Sequence, residues 1–148
     1  MFTEQEIDLL NSAYQTFVGR SHTFDVLSKA KWSNMGIENW VQTEFVVALV
    51  DRDYGVTTIG KVSRDCDLIV SEEESGLDVG IEIKAFTRPY LKGLISGIEG
   101  HPKADLYFFI CRFDEGMQNK LEAHLKGHSY IWKNRIFNGW MVMLVKKE

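Results

Sequence analysis

The sequence of 148 residues is poor in the residues that cross-link or divide a chain, with only two cysteines and two prolines. Cys66 and Cys111 lie within apolar, strand-like segments, so we interpret them as small buried side chains in a reducing compartment rather than as a disulfide framework. Neither proline stands in a linker rich in glycine or serine, and no repeat divides the sequence. The sequence therefore predicts a single domain over residues 1–148.

Long hydrophobic runs are also missing. The longest apolar segments, Phe45 to Val50 and Leu106 to Cys111, are far shorter than the ~20 residues that span a bilayer. The start of the chain carries Glu4, Glu6 and Asp8, where a secretory signal needs a cationic segment. We therefore expect a soluble, cytoplasmic protein without a membrane partner.

Several catalytic motifs are absent too. The sequence has no glycine-rich phosphate loop, no Gly-x-Ser-x-Gly segment and no Cys-x-x-Cys pair, which disfavours kinases, serine hydrolases of that type and thiol oxidoreductases. The net charge of −4 and the pI of about 5.6 disfavour a protein that coats nucleic acid through a general positive field. Any contact with nucleic acid must therefore be local.

Hydrophobic periodicity predicts an α/β protein with the element order ααβββαβαββ. We divide the chain into an N-terminal helix at 3–18 that begins with a capping box of Thr3 and Glu6, a core at 37–113, and a C-terminal helix and hairpin at 114–146. After the first helix we predict a helix from Ile37 to Val50 and three strands, Val56 to Val62, Asp65 to Val70 and Val79 to Phe86. A helix with Pro89 in its first turn then ends at Gly100, and a strand follows from Leu106 to Phe113. The last elements are a helix from Asp114 to about Lys126 and strands Tyr130 to Phe137 and Trp140 to Val145 around an Asn138-Gly139 turn. Because the fourth strand is apolar almost throughout, we expect a central mixed sheet flanked by helices.

Two of these strands carry acidic residues on their polar faces. Alternation places Glu82 and Lys84 on one face of their strand and the apolar residues on the other. If the preceding strand pairs with this one, Asp67 and Glu82 converge on one cation as hard oxygen ligands suited to Mg²⁺, with Lys84 beside them. Phosphodiester hydrolysis needs such groups, because a metal stabilises the charged transition state and an ammonium orients water or phosphate.

Glu44 lies on the apolar stripe of the second helix, with Trp40 and Ala48 one turn to either side. An acid in that place is either a partly exposed side chain paired with a neighbouring base or a further metal ligand, directly or through water. Because the two strands bring Asp67 and Glu82 to the same region, we favour the ligand.

Three further residues have two interpretations each. Asp65 shares a strand face with Asp67 and is either a secondary metal ligand or the salt-bridge partner of a neighbouring base. Arg88 and Lys92 open the helix after the reactive strand, where they either bind a phosphate of nucleic acid or form a solvated face. The solvated face is the commoner case for such residues.

The combination of Glu44 on a helix, Asp67 in Asp-Leu-Ile-Val and Glu82-Ile83-Lys84 resembles the PD-(D/E)XK nuclease superfamily, whose restriction-endonuclease-like core is αβββαβ. The resemblance covers the predicted core. It implies metal ligation by Asp67 and Glu82, support by Glu44, and water activation or phosphate contact by Lys84. It also implies a metal contact from the backbone carbonyl of Ile83.

The sequence departs from the family pattern in two places. Cys66 stands where the family name has proline, a position that varies among members. The glutamine and tyrosine motif of the helicase-linked branch is not recognisable after Lys84. The subfamily therefore stays open.

The resemblance implies a Mg²⁺-dependent nuclease in which Mn²⁺ substitutes, and the small single domain favours an endonuclease acting on DNA. Cutting two strands takes two active sites, so we expect a homodimer through the aromatic hairpin from Tyr130 to Val145. The alternative is a nuclease-fold module that no longer cuts and instead binds nucleic acid or a protein partner. Intact Asp67, Glu82 and Lys84 favour the enzyme, whereas the acidic net charge favours the module.

Overall fold

The structure, a computed structural model, describes residues 1–30, 34–58, 66–71 and 78–148. These residues form five α-helices and one open, six-stranded mixed sheet, which confirms the predicted α/β class. Within them, no helix is both long enough and apolar enough to cross a membrane. The elements are α1 (Glu4–Val18), α2 (Ser21–Lys29), α3 (Asn34–Asp51), β1 (Gly55–Thr58), β2 (Leu68–Ser71), β3 (Asp78–Ala85), α4 (Leu91–Glu99), β4 (Leu106–Arg112), α5 (Glu115–Gly127), β5 (Tyr130–Phe137) and β6 (Trp140–Lys147).

The start of α1 is the predicted capping box. The Glu6 backbone N–H donates to Thr3 Oγ1 at 3.1 Å, and the Thr3 N–H donates to Glu6 Oε1 at 2.8 Å. These bonds satisfy backbone donors that the first turn of a helix otherwise leaves without partners. The prediction for this terminus is confirmed.

Two helix predictions differ from the structure. The short helix α2 was not predicted, since it has no side-chain cap and Phe24 is its one buried residue. Helix α4 is capped at Tyr90 and begins at Leu91, so Pro89 precedes the helix instead of lying in its first turn. A proline restricts the residue before it but does not by itself place the start of a helix.

The sheet has the strand order β1-β2-β3-β4-β6-β5, and its only parallel neighbours among the described strands are β3 and β4. Helix α4 makes the crossover between these two strands, as parallel pairing requires. One apolar core joins α1, α2 and α3 to one face of the sheet, and a second joins α4 and α5 to the other face. Residues 106–111 of β4 are buried between the two cores, which confirms the prediction of a strand covered on both faces.

The C-terminal hairpin also has its predicted form. Asn138 and Gly139 have φ values of 49° and 82°, as a type I′ turn requires of both central residues. The side chains of β6 are buried within the chain up to Val145, and β5 lies at the sheet edge with Ile136 50% exposed. The apolar area of β6 is therefore already covered inside one copy, and the homodimer stays a prediction.

The pairing of β2 with β3 positions the candidate site. The two strands run antiparallel with Leu68 opposite Ile81, and the backbone N–H of Asp67 donates to Ile81 O at 2.9 Å. This register brings Asp67, which immediately precedes β2, to the level of Glu82. Of the strand predicted from Val56 to Val62, residues 59–62 lie outside the described residues, as does Asp65.

Candidate metal centre

Three carboxylates from separate elements meet at this point of the sheet. Glu38 of α3, Asp67 before β2 and Glu82 of β3 each offer an oxygen atom, and these atoms lie within 4.8 Å of one another. Carboxylate oxygens are the ligands that Mg²⁺ and Mn²⁺ prefer. The group therefore has the donor atoms and the spacing for one divalent cation.

Glu82 is the most buried member, with 2% of its surface exposed. Its pKa is raised from 4.5 to about 8, first because burial disfavours the charged form and next because Asp67 carries a like charge beside it, while Lys84 opposes the shift. The pKa of Glu38 is raised too, again chiefly by burial. A divalent cation would supply the charge that lets all three acids ionise together, so these residues fit such an ion.

Lys84 supplies positive charge beside the group. Its Nζ atom lies 3.6 Å from Glu82 Oε1 and 3.7 Å from Glu38 Oε1. The expectation that Glu82 and Lys84 share a strand face is thus met, and the ammonium lies between two acids from different elements. About a quarter of its side chain is exposed, at 24%, so the ammonium is within reach of a ligand from solvent.

Asp67 is held in place by backbone contacts with β3. Its Oδ2 atom accepts a hydrogen bond from the Ile83 N–H at 2.8 Å. Together with the bond from its own N–H to Ile81 O, this contact fixes the carboxylate against the strand that carries Glu82. The side chain of Ile83 is buried in the apolar core on the other face of the sheet.

His101, which follows α4, is a site residue that sequence reasoning missed. Its Nε2 atom lies 3.5 Å from Glu82 Oε1, and its Nδ1 atom lies 3.0 Å from Gly97 O. A carbonyl oxygen only accepts, so Nδ1 carries a hydrogen and Nε2 faces the acid. The Tyr107 hydroxyl donates to His101 O at 2.6 Å and anchors the backbone. A lone histidine before a proline gives no sequence signal for this contact.

The helix acid in the group is Glu38, and Glu44 is not part of it. Glu44 Oε2 instead lies 3.5 Å from Nη2 of Arg20, the N-cap residue of α2. Six helical positions rotate a side chain by about 120°, so the two acids of α3 cannot face the same place. Glu44 therefore has the alternative role considered for it, that of a partly exposed acid paired with a base.

A cleft of about 300 Å³ adjoins the group on the α4 side. Glu38 of the group and its neighbours Lys84 and His101 line this cleft. Lys92, one of the residues assigned to nucleic-acid binding, lines the cleft as well. Arg88 is exposed, with its guanidinium 4.3 Å from the centre of the Tyr90 ring. Lys84 and Lys92 thus bring two positive charges to the cleft and Glu38 one negative charge, although the chain as a whole is acidic.

Comparison of the chain with protein families, curated proteins and solved structures finds no match. The fold and the site define an α/β protein with a mixed sheet and a group of three acids suited to a divalent cation. These comparisons assign the chain to no family.

Proposed function

We propose that the chain is a Mg²⁺-dependent nuclease that hydrolyses phosphodiester bonds as a DNA endonuclease, with Mn²⁺ able to replace Mg²⁺. The observation that carries the proposal is the grouping of Glu38, Asp67 and Glu82 within 4.8 Å, with the Lys84 ammonium 3.6 Å from the most buried of them. An ordinary surface ion pair needs only one acid and one base, whereas this group brings three acids and an amine together from three parts of the chain.

The order of the elements supports the same proposal. Helix α3, strands β1 to β3, helix α4 and strand β4 follow one another as αβββαβ, the order of the restriction-endonuclease-like core. Asp67 precedes the second strand, and Glu82-Ile83-Lys84 lies in the third. The helix acid is Glu38, so in this proposal Glu38 takes the part that the resemblance implied for Glu44.

A metal held by Glu38, Asp67 and Glu82 would supply the positive charge that stabilises the phosphodiester as it passes through its transition state. The chain's own residues do the rest. Asp67 and Glu82 would hold the cation in a fixed place, since Asp67 accepts a hydrogen bond from β3 and Glu82 is buried within that strand. His101 Nε2 beside Glu82 Oε1 orients that carboxylate.

Lys84 is the residue that contacts the substrate. An ammonium has three N–H donors, so it can lie between Glu38 and Glu82 and still donate to a phosphate oxygen in the cleft. Lys92 at the rim adds a second positive charge for the phosphate next along the strand. This local arrangement suits a protein whose net charge is −4.

The test is a cleavage assay with supercoiled plasmid, linear duplex, single-stranded DNA and RNA in Mg²⁺ or Mn²⁺. We expect the wild type to cut DNA, and Glu82→Gln, Lys84→Ala and Glu38→Gln each to lose about a hundredfold or more in rate. Glu44→Gln is the matched control, because it removes an acid from the same helix outside the group, and it should cut normally.

If no substrate is cut in either metal and calorimetry detects no Mn²⁺ binding, the proposal is wrong. The second class, a nuclease-fold module that binds nucleic acid or a protein without cutting, would then be the better description. If Glu44→Gln loses activity while Glu38→Gln keeps it, the assignment of the helix acid is wrong.

A further inference from the structure

Helix α4 contains two glycines one turn apart, and one of them, Gly97, lies against Lys84 of strand β3. A Cβ atom built on Gly97 would lie 2.7 Å from Lys84 Cγ, 3.4 Å from Cε and 3.5 Å from Cδ. The stem of Lys84 therefore runs across the place that any other residue would fill. Gly97 is buried, so a side chain there could not turn out to solvent.

The collision cannot be relieved at the far end of a flexible chain. The closest atom, Cγ, is one bond from the Cβ that the strand holds, and at Lys84 the strand is paired with β4, opposite Phe109. Relief therefore requires a different rotamer of Lys84 or a shift of α4. A different χ1 rotamer redirects the whole stem, so we expect it to move the ammonium away from Glu38 and Glu82.

We infer that Gly97 is a positioning residue that holds the Lys84 ammonium between Glu38 and Glu82. The inference deepens the proposed nuclease function and rests on it for its consequence in catalysis. Gly97 acts on the site through its backbone as well, because its carbonyl accepts from the His101 Nδ1–H at 3.0 Å. Lys84 and His101, the two neighbours of Glu82, thus both contact one residue of α4.

Gly93 provides a matched control on the same helix. A Cβ atom there would lie 2.5 Å from Tyr90 Cδ1 and 2.6 Å from Phe86 Cζ. Gly93→Ala therefore makes an equally severe collision one turn away, but against the aromatic pair instead of Lys84. Alanine has a higher helix propensity than glycine, so this term changes the stability of both variants by about the same amount.

The first experiment compares the kinetics of DNA cleavage by Gly97→Ala and Gly93→Ala. We expect kcat to fall about a hundredfold in Gly97→Ala, as for a displaced reacting group, with KM within about twofold of the wild type. The Mn²⁺ affinity should not weaken, because Lys84 is not a ligand. The loss of kcat should be smaller in Gly93→Ala, although Gly93 also lines the cleft, and an equal loss in both variants would overturn the inference.

A double-mutant cycle with Lys84→Ala tests whether Gly97 acts through Lys84. Removing the stem removes the collision, so Gly97→Ala should cost no further activity in the Lys84→Ala background, and it should lower the melting temperature less there than in the wild type. This second comparison holds even if Gly97→Ala alone folds poorly. Losses that simply add would mean that Gly97 does not act through Lys84.

An NMR measurement separates this inference from the nuclease proposal. The Cε resonance of Lys84, identified by its loss in Lys84→Ala, should shift in Gly97→Ala and stay in place in Gly93→Ala, whether or not the protein cuts DNA. A shift with an inactive wild type would support the positioning and overturn the nuclease. An unchanged resonance in an active enzyme would overturn the positioning alone.

Discussion

His101 Nε2 lies 3.5 Å from Glu82 Oε1, while the opposite nitrogen of the same ring bonds to the Gly97 carbonyl. Groups that orient a metal ligand from behind typically change metal affinity by 10- to 100-fold when they are removed. We therefore expect His101→Ala to weaken Mn²⁺ binding by about tenfold or more in calorimetry. The control is His124→Ala, which alters a histidine of α5 that is stacked on His128. This variant should bind Mn²⁺ as the wild type does.

Asp67→Asn should separate charge from hydrogen bonding. An asparagine oxygen can still accept from the Ile83 N–H, so the strand pairing should survive. The like charge beside Glu82 is lost, so the pKa of Glu82 should fall below its present value of about 8 while burial keeps it above 4.5. A ¹³C NMR titration of the Glu82 carboxyl measures the change.

The same variant should lose most of its Mn²⁺ affinity, because one of three ligands becomes neutral. Asp105→Asn is its control, since Asp105 accepts a similar bond from the Gly80 N–H but is outside the acidic group. An unchanged Glu82 pKa in Asp67→Asn would contradict the electrostatic description of the site.

The raised pKa of Glu82 predicts how stability depends on pH. Between pH 4.5 and about 8 the folded carboxyl keeps a proton that the unfolded one has lost, so the folded state binds more protons there. The contribution of Glu82 to the free energy of unfolding of the metal-free protein should therefore fall as pH rises through this window, by an amount on the order of a few kcal/mol. Thermal melts of wild type and Glu82→Gln should diverge across the window, and added Mn²⁺ should restore the wild type most at its alkaline end.

Lys92 should affect substrate binding without affecting the metal. If its ammonium contacts one phosphate, Lys92→Ala should raise KM and reduce the slope of log affinity against log salt concentration by about one. The Mn²⁺ affinity should not change. Lys103→Ala removes an exposed lysine that does not line the cleft, and an equal effect there would mean that the cleft is not the binding surface.

Phe24 should contribute strongly to stability although its helix is short. Its ring centre lies 5.0 Å from that of Trp40 and 4.8 Å from that of Trp140, and 1% of the residue is exposed. Phe24→Ala should cost about 3–5 kcal/mol in urea unfolding, because it removes a buried ring and leaves a cavity. Val26 belongs to the same helix and is 47% exposed. The free energy of unfolding of Val26→Ala should therefore stay within about 0.5 kcal/mol of that of the wild type.

The strand half of the candidate site follows from alternation together with the pairing of two strands. A period of two puts Glu82 and Lys84 on one face, and antiparallel pairing of β2 with β3 then brings Asp67 to them. Strand sites can be predicted in this way because side-chain direction in a strand depends on little besides residue number.

The helix half could not be predicted as well. Glu44 lies beside the buried Phe45 and Ala48, whereas Glu38 lies beside the buried Ile37, so both acids border the apolar stripe of α3. Which of the two acids reaches β3 depends on the angle at which α3 crosses the sheet, and a single sequence does not specify that angle. Helix α2 was missed for a related reason, since tertiary contacts of Phe24 stabilise it more than any local signal.

The three acids belong to α3, the approach to β2 and the middle of β3, segments that lie far apart along the chain. Contacts between distant segments form late in folding, after the loops between them have closed. A chain in which α3 has not docked on the sheet therefore lacks Glu38 in the group, and its Asp67 and Glu82 are two acids of an incomplete site. Binding of a cation by all three acids therefore requires the complete fold. Any hydrolytic activity that depends on this site can arise only after folding is complete.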